Sequence, residues 1–321
     1  MGACNPSERT TVGYLIVYEY KMATSSGTTP SPSAAFRALK ALRDADWSSW
    51  RRRNNVSSAP SHIFWYHAPK CGSSFLNTIY SFACPRAYAC GGPLSAATVY
   101  GADRELGNLR LRSLSEQIEW CRMRISGLGA HVSFAGLARS GIAMGLFRRP
   151  IERIASAWTY YRLPTHQGRF DVGSLEHYAS HVVGCMTKMV LGWTMGSNGQ
   201  MRCGYTSKDN VMWQAKSPVS SDSMKEAVRR LRHEFGFVGL TSQWALSIAM
   251  FHAQYGGTPL STEFVNSRPT AGLAASGWNQ TAAVAHLTRA GWRDPFDEQL
   301  FAVAESLFVQ RARELKLRPF F

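Results

Sequence analysis

His62-Ile63-Phe64-Trp65-Tyr66-His67-Ala68-Pro69-Lys70-Cys71-Gly72-Ser73-Ser74-Phe75-Leu76 reads as strand, turn and helix in succession. The aromatic and β-branched run from Ile63 to Tyr66 suits a buried strand, Pro69 and Gly72 interrupt it, and the segment from Ser74 to Ile79 restarts as a helix. Small residues at such a turn leave the first N–H groups of the helix available to an anion, and the helix dipole favours negative charge there. Lys70 adds a full positive charge beside them. An ordinary strand-to-helix turn is the alternative.

The order of residues is not that of the nucleotide-triphosphate loop, G-x-x-x-x-G-K-[ST], where the lysine follows the glycines. Here Lys70 precedes Gly72. A second anion candidate lies downstream, in Met144-Gly-Leu-Phe147-Arg148-Arg149-Pro150-Ile-Glu152-Arg153-Ile-Ala-Ser156-Ala-Trp158-Thr-Tyr160-Tyr161-Arg162. A strand is expected to end at Arg148 and a helix to open on Pro150, with Ile151, Ile154, Ala155 and Trp158 as its apolar stripe. Arg148 and Ser156 can then converge on one anion, the arginine through charge-assisted donors and the serine through its hydroxyl. The alternative is an Arg148–Glu152 pair and a serine packed in a helix.

The whole chain agrees with an anionic partner. Its 321 residues carry 36 basic against 21 acidic side chains, a formal charge of +15, while the length fits one large α/β domain or two small ones and 45% hydrophobic residues suffice for a core. Nucleic acid is the least supported anion, since no zinc-finger spacing, RRM-type aromatic signature or long basic helix is present. A membrane surface, or an acidic cofactor with an acidic polymer, remains. No apolar run reaches the roughly 18–20 residues of a membrane span, so no membrane anchor is visible.

Residues 1–33 read as a flexible leader and 34–60 as a basic amphipathic helix and linker, leaving 61–321 for the folded domain. Within it, Leu114, Ile118, Cys121 and Ile125 fall at helical spacing after a capping box at Ser115, and His131-Val-Ser-Phe134 reads as a short strand. Further on, Ser223-Met-Lys-Glu226 reads as a second capping box, Phe237–Thr241 as a buried strand followed by a helix over Ser242–His252, and Asp294-Pro295 as the start of the last helix. Phe296, Leu300, Ala304, Leu307, Phe308 and Arg311 mark one face of that helix, apolar almost throughout. Strands alternating with helices, with both anion motifs at strand C-terminal ends, predict an α/β fold with a central, mostly parallel sheet.

Seven cysteines show no metal-ligand spacing; Cys84/Cys90 and Cys185/Cys203 are candidate disulfides, with buried free thiols the alternative. His166, His177 and His181 are too dispersed for a metal site. Asn55 and Asn279 open glycosylation sequons.

Taken together, Pro69-Lys70-x-Gly72-Ser73-Ser74 and Arg148-x-Pro-x-x-Arg-x-x-Ser156-x-x-x-Tyr-Tyr resemble the two phosphate motifs of sulfotransferases that use 3′-phosphoadenosine 5′-phosphosulfate (PAPS), in the same order. His131-Val-Ser-Phe134 brings the likeness nearest to the Golgi carbohydrate sulfotransferases of the heparan sulfate 2-O type. The likeness spans about residues 61–316 and is most specific at the two motifs. It implies the P-loop-like sulfotransferase fold, PAPS as co-substrate without a metal requirement, and a carbohydrate acceptor, an acidic polysaccharide being one candidate. It further implies that the segment Pro69, Lys70, Cys71, Gly72, Ser73, Ser74 and Phe75 holds the phosphosulfate and Arg148 with Ser156 the 3′-phosphate. By the same likeness Lys70 and His131 are catalytic, His131 as general base, and the location is the Golgi lumen. Arg149 stands where that family usually has an acidic residue. A P-loop nucleotide kinase or hydrolase and a non-catalytic polyanion-binding protein are the competing readings.

Overall fold

Among the described residues four parallel strands side by side, in the order β2-β1-β3-β4, make the sheet that positions the Lys70 and Arg148 motifs. The computed structural model describes residues 62–84, 124–126, 142–162, 173–193, 218–257, 259–264 and 279–317. The strands are β1 (His62–Tyr66), β2 (Arg124–Ser126), β3 (Ile142–Phe147) and β4 (Phe235–Leu240). Between and after them lie helices α1 (Leu76–Ala83), α2 (Pro150–Tyr161), α3 (Leu175–His181), α4 (Cys185–Val190), α5 (Ser221–His233), α6 (Trp244–Tyr255), α7 (Gln280–Arg289) and α8 (Pro295–Glu314). An α/β architecture with a parallel sheet flanked by helices is therefore what the chain adopts.

Because β1 and β3 are central, residues 63–66 and 143–147 are buried and the two sequences are apolar almost without alternation, as parallel sheets covered by helices require. Ile63, Phe64, Trp65 and Tyr66 are each wholly inaccessible to solvent, and full burial of such side chains contributes about 1.5–3 kcal/mol apiece. Phe75, just past the turn, stacks on Trp65 and Phe237 and meets Trp244 and Phe251 edge-on, so the turn is anchored in the main core. A smaller core forms where Ile154, Ala155 and Trp158 of α2 pack on α3 and α7.

Several local expectations need correction. Ile125 lies in strand β2, paired in register with Ile63, although its spacing from Cys121 reads as helical; a parallel partner overrides a short local period when the residue is β-branched. The cap of α5 is Ser220, whose hydroxyl accepts from the Ser223 amide, and Glu226 binds Arg229 and Arg230 on the helix surface instead of closing a capping box. Strand β4 starts at Phe235, and a 3₁₀ turn over Thr241–Gln243 precedes α6. On α8 the expected face does bury Leu300, Ala304 and Phe308, joined by Ala312, and its one charged member, Arg311, is exposed and pairs with Glu314. The leader 1–33, the basic segment 34–60, the helix expected after Ser115 up to residue 123, and the strand at His131 lie outside the described residues.

Candidate functional site

Parallel register brings the two motifs together. Tyr66 lies opposite Gly145, and carried three residues on, the same register sets Arg148 level with Pro69. The contact follows: Arg148 Nη1 donates to the Lys70 carbonyl at 3.3 Å across 78 positions of sequence. Arg148 Nε has the Glu152 carboxylate at 3.6 Å, an ion pair without a hydrogen bond. Partial burial lowers the Arg148 guanidinium, and Glu152 opposes that shift. The charge is retained in any case.

Lys70 adopts the left-handed backbone region, with φ 61°, a conformation costing a non-glycine residue about 1–2 kcal/mol. Its ammonium lies 3.9 Å above the centre of the Tyr160 ring. Two residues on, Gly72 has φ 76°, and a Cβ there would stand 2.7 Å from Leu146 and 2.9 Å from Trp244. Only glycine fits both the dihedral and the space. A 3₁₀ turn over Ser73–Phe75 then leads into α1.

Along α2, Glu152, Ser156 and Tyr160 follow at four-residue spacing and share the face that meets Lys70 and Arg148. Ser156 is buried at 5% exposure, while Arg149 caps the helix and is exposed. The helix opens on Pro150 and buries Ile154, Ala155 and Trp158 on its other side, as its sequence predicts. The structure thus gathers Lys70, Gly72, Ser73, Arg148 and Ser156 around the C-terminal ends of β1 and β3. Pro69, Cys71, Ser74 and Phe75 are buried members of the same segment: the Phe75 ring belongs to the core, and the Cys71 thiol lies 3.7 Å from the Met186 sulfur. Burial raises that thiol to about 11, against the pull of Arg153 and Arg148, so it stays protonated at neutral pH. His131 lies outside the described residues.

Sequence reasoning missed the support under this site. Arg153, wholly buried, reaches Asp297 at 3.4 Å. The Asp297 carboxylate also accepts from the Met186 and Thr187 amides and the Thr187 hydroxyl, each at 2.9 Å. Asp294, on the same helix, accepts from the Gly184 and Asp297 amides. The two aspartates therefore cap α4 and hold α2, while Met186 in turn accepts the Tyr66 hydroxyl through its carbonyl. Asp294-Pro295 reads correctly as a helix cap; nothing local marks Asp297 as buried.

Burial, with the Asp297 carboxylate beside it, pushes the Asp294 carboxyl up to about 7 although backbone donors and Arg153 favour its ionised form. An unfolded aspartate titrates near 3.9, so between about pH 4 and pH 7 the folded chain binds the extra proton and stability falls as pH rises. The melting temperature should drop from about pH 5 to pH 7.5 more steeply for the unaltered protein than for Asp294→Asn, followed by calorimetry. Equal slopes would assign the pH dependence elsewhere.

No family model and no curated protein matches this sequence. The site must be read from its own chemistry. Cys84 and Cys185 are both disulfide-bonded, and Cys71 is a free thiol. Among the described residues no helix is long and apolar enough to cross a membrane.

Proposed function

We infer that the chain is a PAPS-dependent sulfotransferase of the P-loop-like type, acting on a hydroxyl of a carbohydrate acceptor. The observation that carries this reading is the contact between the Lys70 turn and Arg148, which joins two separately recognisable anion motifs at neighbouring strand ends. A donor with phosphates at two positions needs two cationic points on one surface, and Lys70 and Arg148 supply them. The close packing around Gly72 lets the backbone itself line that surface. PAPS supplies a sulfuryl group whose sulfur–oxygen bond to phosphate breaks as a new one forms to the acceptor oxygen.

In that setting the Lys70 ammonium neutralises charge growing on the departing phosphate oxygen. Arg148 and Ser156 hold the 3′-phosphate, the arginine through its charge and the Nε donor, which stands 3.6 Å from Glu152 without a hydrogen bond. His131 takes the proton of the acceptor hydroxyl, which is a poor nucleophile until it is removed. The positive balance of the chain, +15, suits an acidic acceptor. Disulfides at Cys84 and Cys185 favour an oxidising compartment such as the Golgi lumen.

Calorimetry with PAP, the desulfated product, tests the reading directly. Magnesium-independent binding is expected; magnesium-dependent ATP binding instead would make the protein a nucleotide kinase or hydrolase, and binding of neither would leave a polyanion-binding protein. Arg148→Ala should weaken PAP about 10- to 100-fold, the worth of charge-assisted hydrogen bonds, and weaken the analogue lacking the 3′-phosphate far less. Equal losses for both ligands would take Arg148 away from the 3′-phosphate.

A further inference from the structure

Helix α3 carries two histidines one turn apart, and it is pinned so that both turn away from the core. Ser174 caps its start, the hydroxyl accepting from the His177 amide at 3.1 Å. Leu175, Tyr178 and Ala179 are buried in the smaller core with α2 and α7, which leaves His177 exposed and His181 half-buried. Their ring centres lie 4.1 Å apart. The His177 ring leans over Gly173, where a Cβ would stand 3.1 Å from its Cδ2. The hydrogen bonds of the pair leave nitrogen lone pairs available. His181 Nδ1 lies 2.7 Å from the His177 carbonyl, which can only accept, so that nitrogen carries the hydrogen and Nε2 of the neutral ring keeps its lone pair. Ser180 Oγ stands 3.2 Å from the same Nδ1 and donates to the His177 carbonyl at 2.8 Å. Neither ring nitrogen of His177 has a hydrogen-bond partner among the described residues, and neither histidine is paired with a carboxylate there. Glu176, their neighbour in sequence, is turned instead to His286 of α7.

We propose that His177 and His181 form a binding site for a divalent transition-metal ion of the zinc type, with water completing the coordination. Imidazole nitrogen suits zinc, copper and nickel, whereas magnesium and calcium call for oxygen. Two histidines at i and i+4 share one helix face and can be presented to a single ion. A zinc–nitrogen bond is about 2.0–2.1 Å long. With the ring centres 4.1 Å apart, rotation of the two side chains brings one nitrogen of each to a common ion without moving the helix. A metal-ligating imidazole is commonly oriented by a hydrogen bond from its other nitrogen to a backbone carbonyl, the bond that His181 makes. Among the described residues no cluster of three or more His, Cys, Asp or Glu is placed to hold a metal, so this is an open site with two protein ligands. Spacing in sequence sets His166 apart; the winding of α3 is what brings His177 and His181 together. The site shares no residue with the Lys70 and Arg148 motifs, and the inference does not rest on the sulfotransferase reading.

Diethyl pyrocarbonate footprinting of the full chain, stripped of metal with a chelator and read by mass spectrometry, tests the site without any substitution. His177 and His181 should both be acylated in the metal-free protein, and zinc should protect the two together, over the same range of zinc concentration. Magnesium at the same concentrations should protect neither. In zinc calorimetry His177→Gln and His181→Gln should each weaken binding about 10- to 100-fold, no less than the loss that follows removal of an outer-shell partner. Both side chains lie off the core, so the metal-free variants should melt with the unaltered protein. Zinc protection of neither histidine or of one alone, equal protection by magnesium, or a zinc isotherm unchanged in either variant overturns the inference. Should a variant fail to fold, the footprint of the unaltered protein decides by itself.

Discussion

Lys70→Ala is expected to lower turnover about 10²- to 10³-fold, the cost of removing one preorganised donor from a developing oxyanion. The substitution isolates chemistry from folding. Lys70 is half-buried, and its left-handed backbone strains alanine as much as lysine, so the exchange leaves local backbone strain unchanged. Its carbonyl, which receives Arg148, is retained. What disappears is the charge, with its contact on the Tyr160 ring. PAP affinity should fall less than turnover, because the charge being neutralised is largest when the phosphate leaves. Single-turnover assay with labelled PAPS at saturating donor measures this, and a folded variant with near-normal turnover would remove the turn from the mechanism.

Asp297→Ala should destabilise the fold by about 3–5 kcal/mol, the usual consequence of stripping the partner from a buried cation. Arg153 has no exposure, and its Nε and Nη1 already lack hydrogen-bond partners. Losing Asp297 would leave it with no counter-charge at 3.4 Å. The Met186 and Thr187 amides and the Thr187 hydroxyl would lose their acceptor as well. Denaturant unfolding gives the magnitude. Arg153→Met combined with Asp297→Ala should recover part of the loss, since the double change removes the stranded charge but not the uncapped start of α4. No recovery would mean that capping, not the ion pair, accounts for the effect.

Much of the fold follows from local pattern. The strand at Ile63–Tyr66, the break at Gly72, Pro150 opening α2 and Asp294 capping α8 are all written in residues whose preference is set by their own backbone. Even the meeting of Lys70 with Arg148 is foreshadowed, because in a parallel sheet loops after neighbouring strands share one edge. The elements that escaped are decided by distant partners. Arg124–Ser126 becomes a strand because β1 offers it an edge, and Asp297 resembles any acidic residue in a first helical turn until Arg153 and α4 close over it. Tyr160 is likewise ambiguous alone. Its helical period says that it lies near Ser156 but says nothing of the lysine that comes to rest on it.

The Arg153–Asp297 pair also sets a schedule for biosynthesis. Its members are 144 positions apart, so at about 5–20 residues per second the ribosome needs on the order of ten seconds to deliver the acid after the base. Throughout that interval α2 carries a cation that the finished protein buries, and α4 lacks the carboxylates that cap it. The sheet strands are all made before α8 emerges. A nascent chain at that stage exposes the sides of α2 and α4 that α8 later covers, and that helix acts as the keystone that closes them.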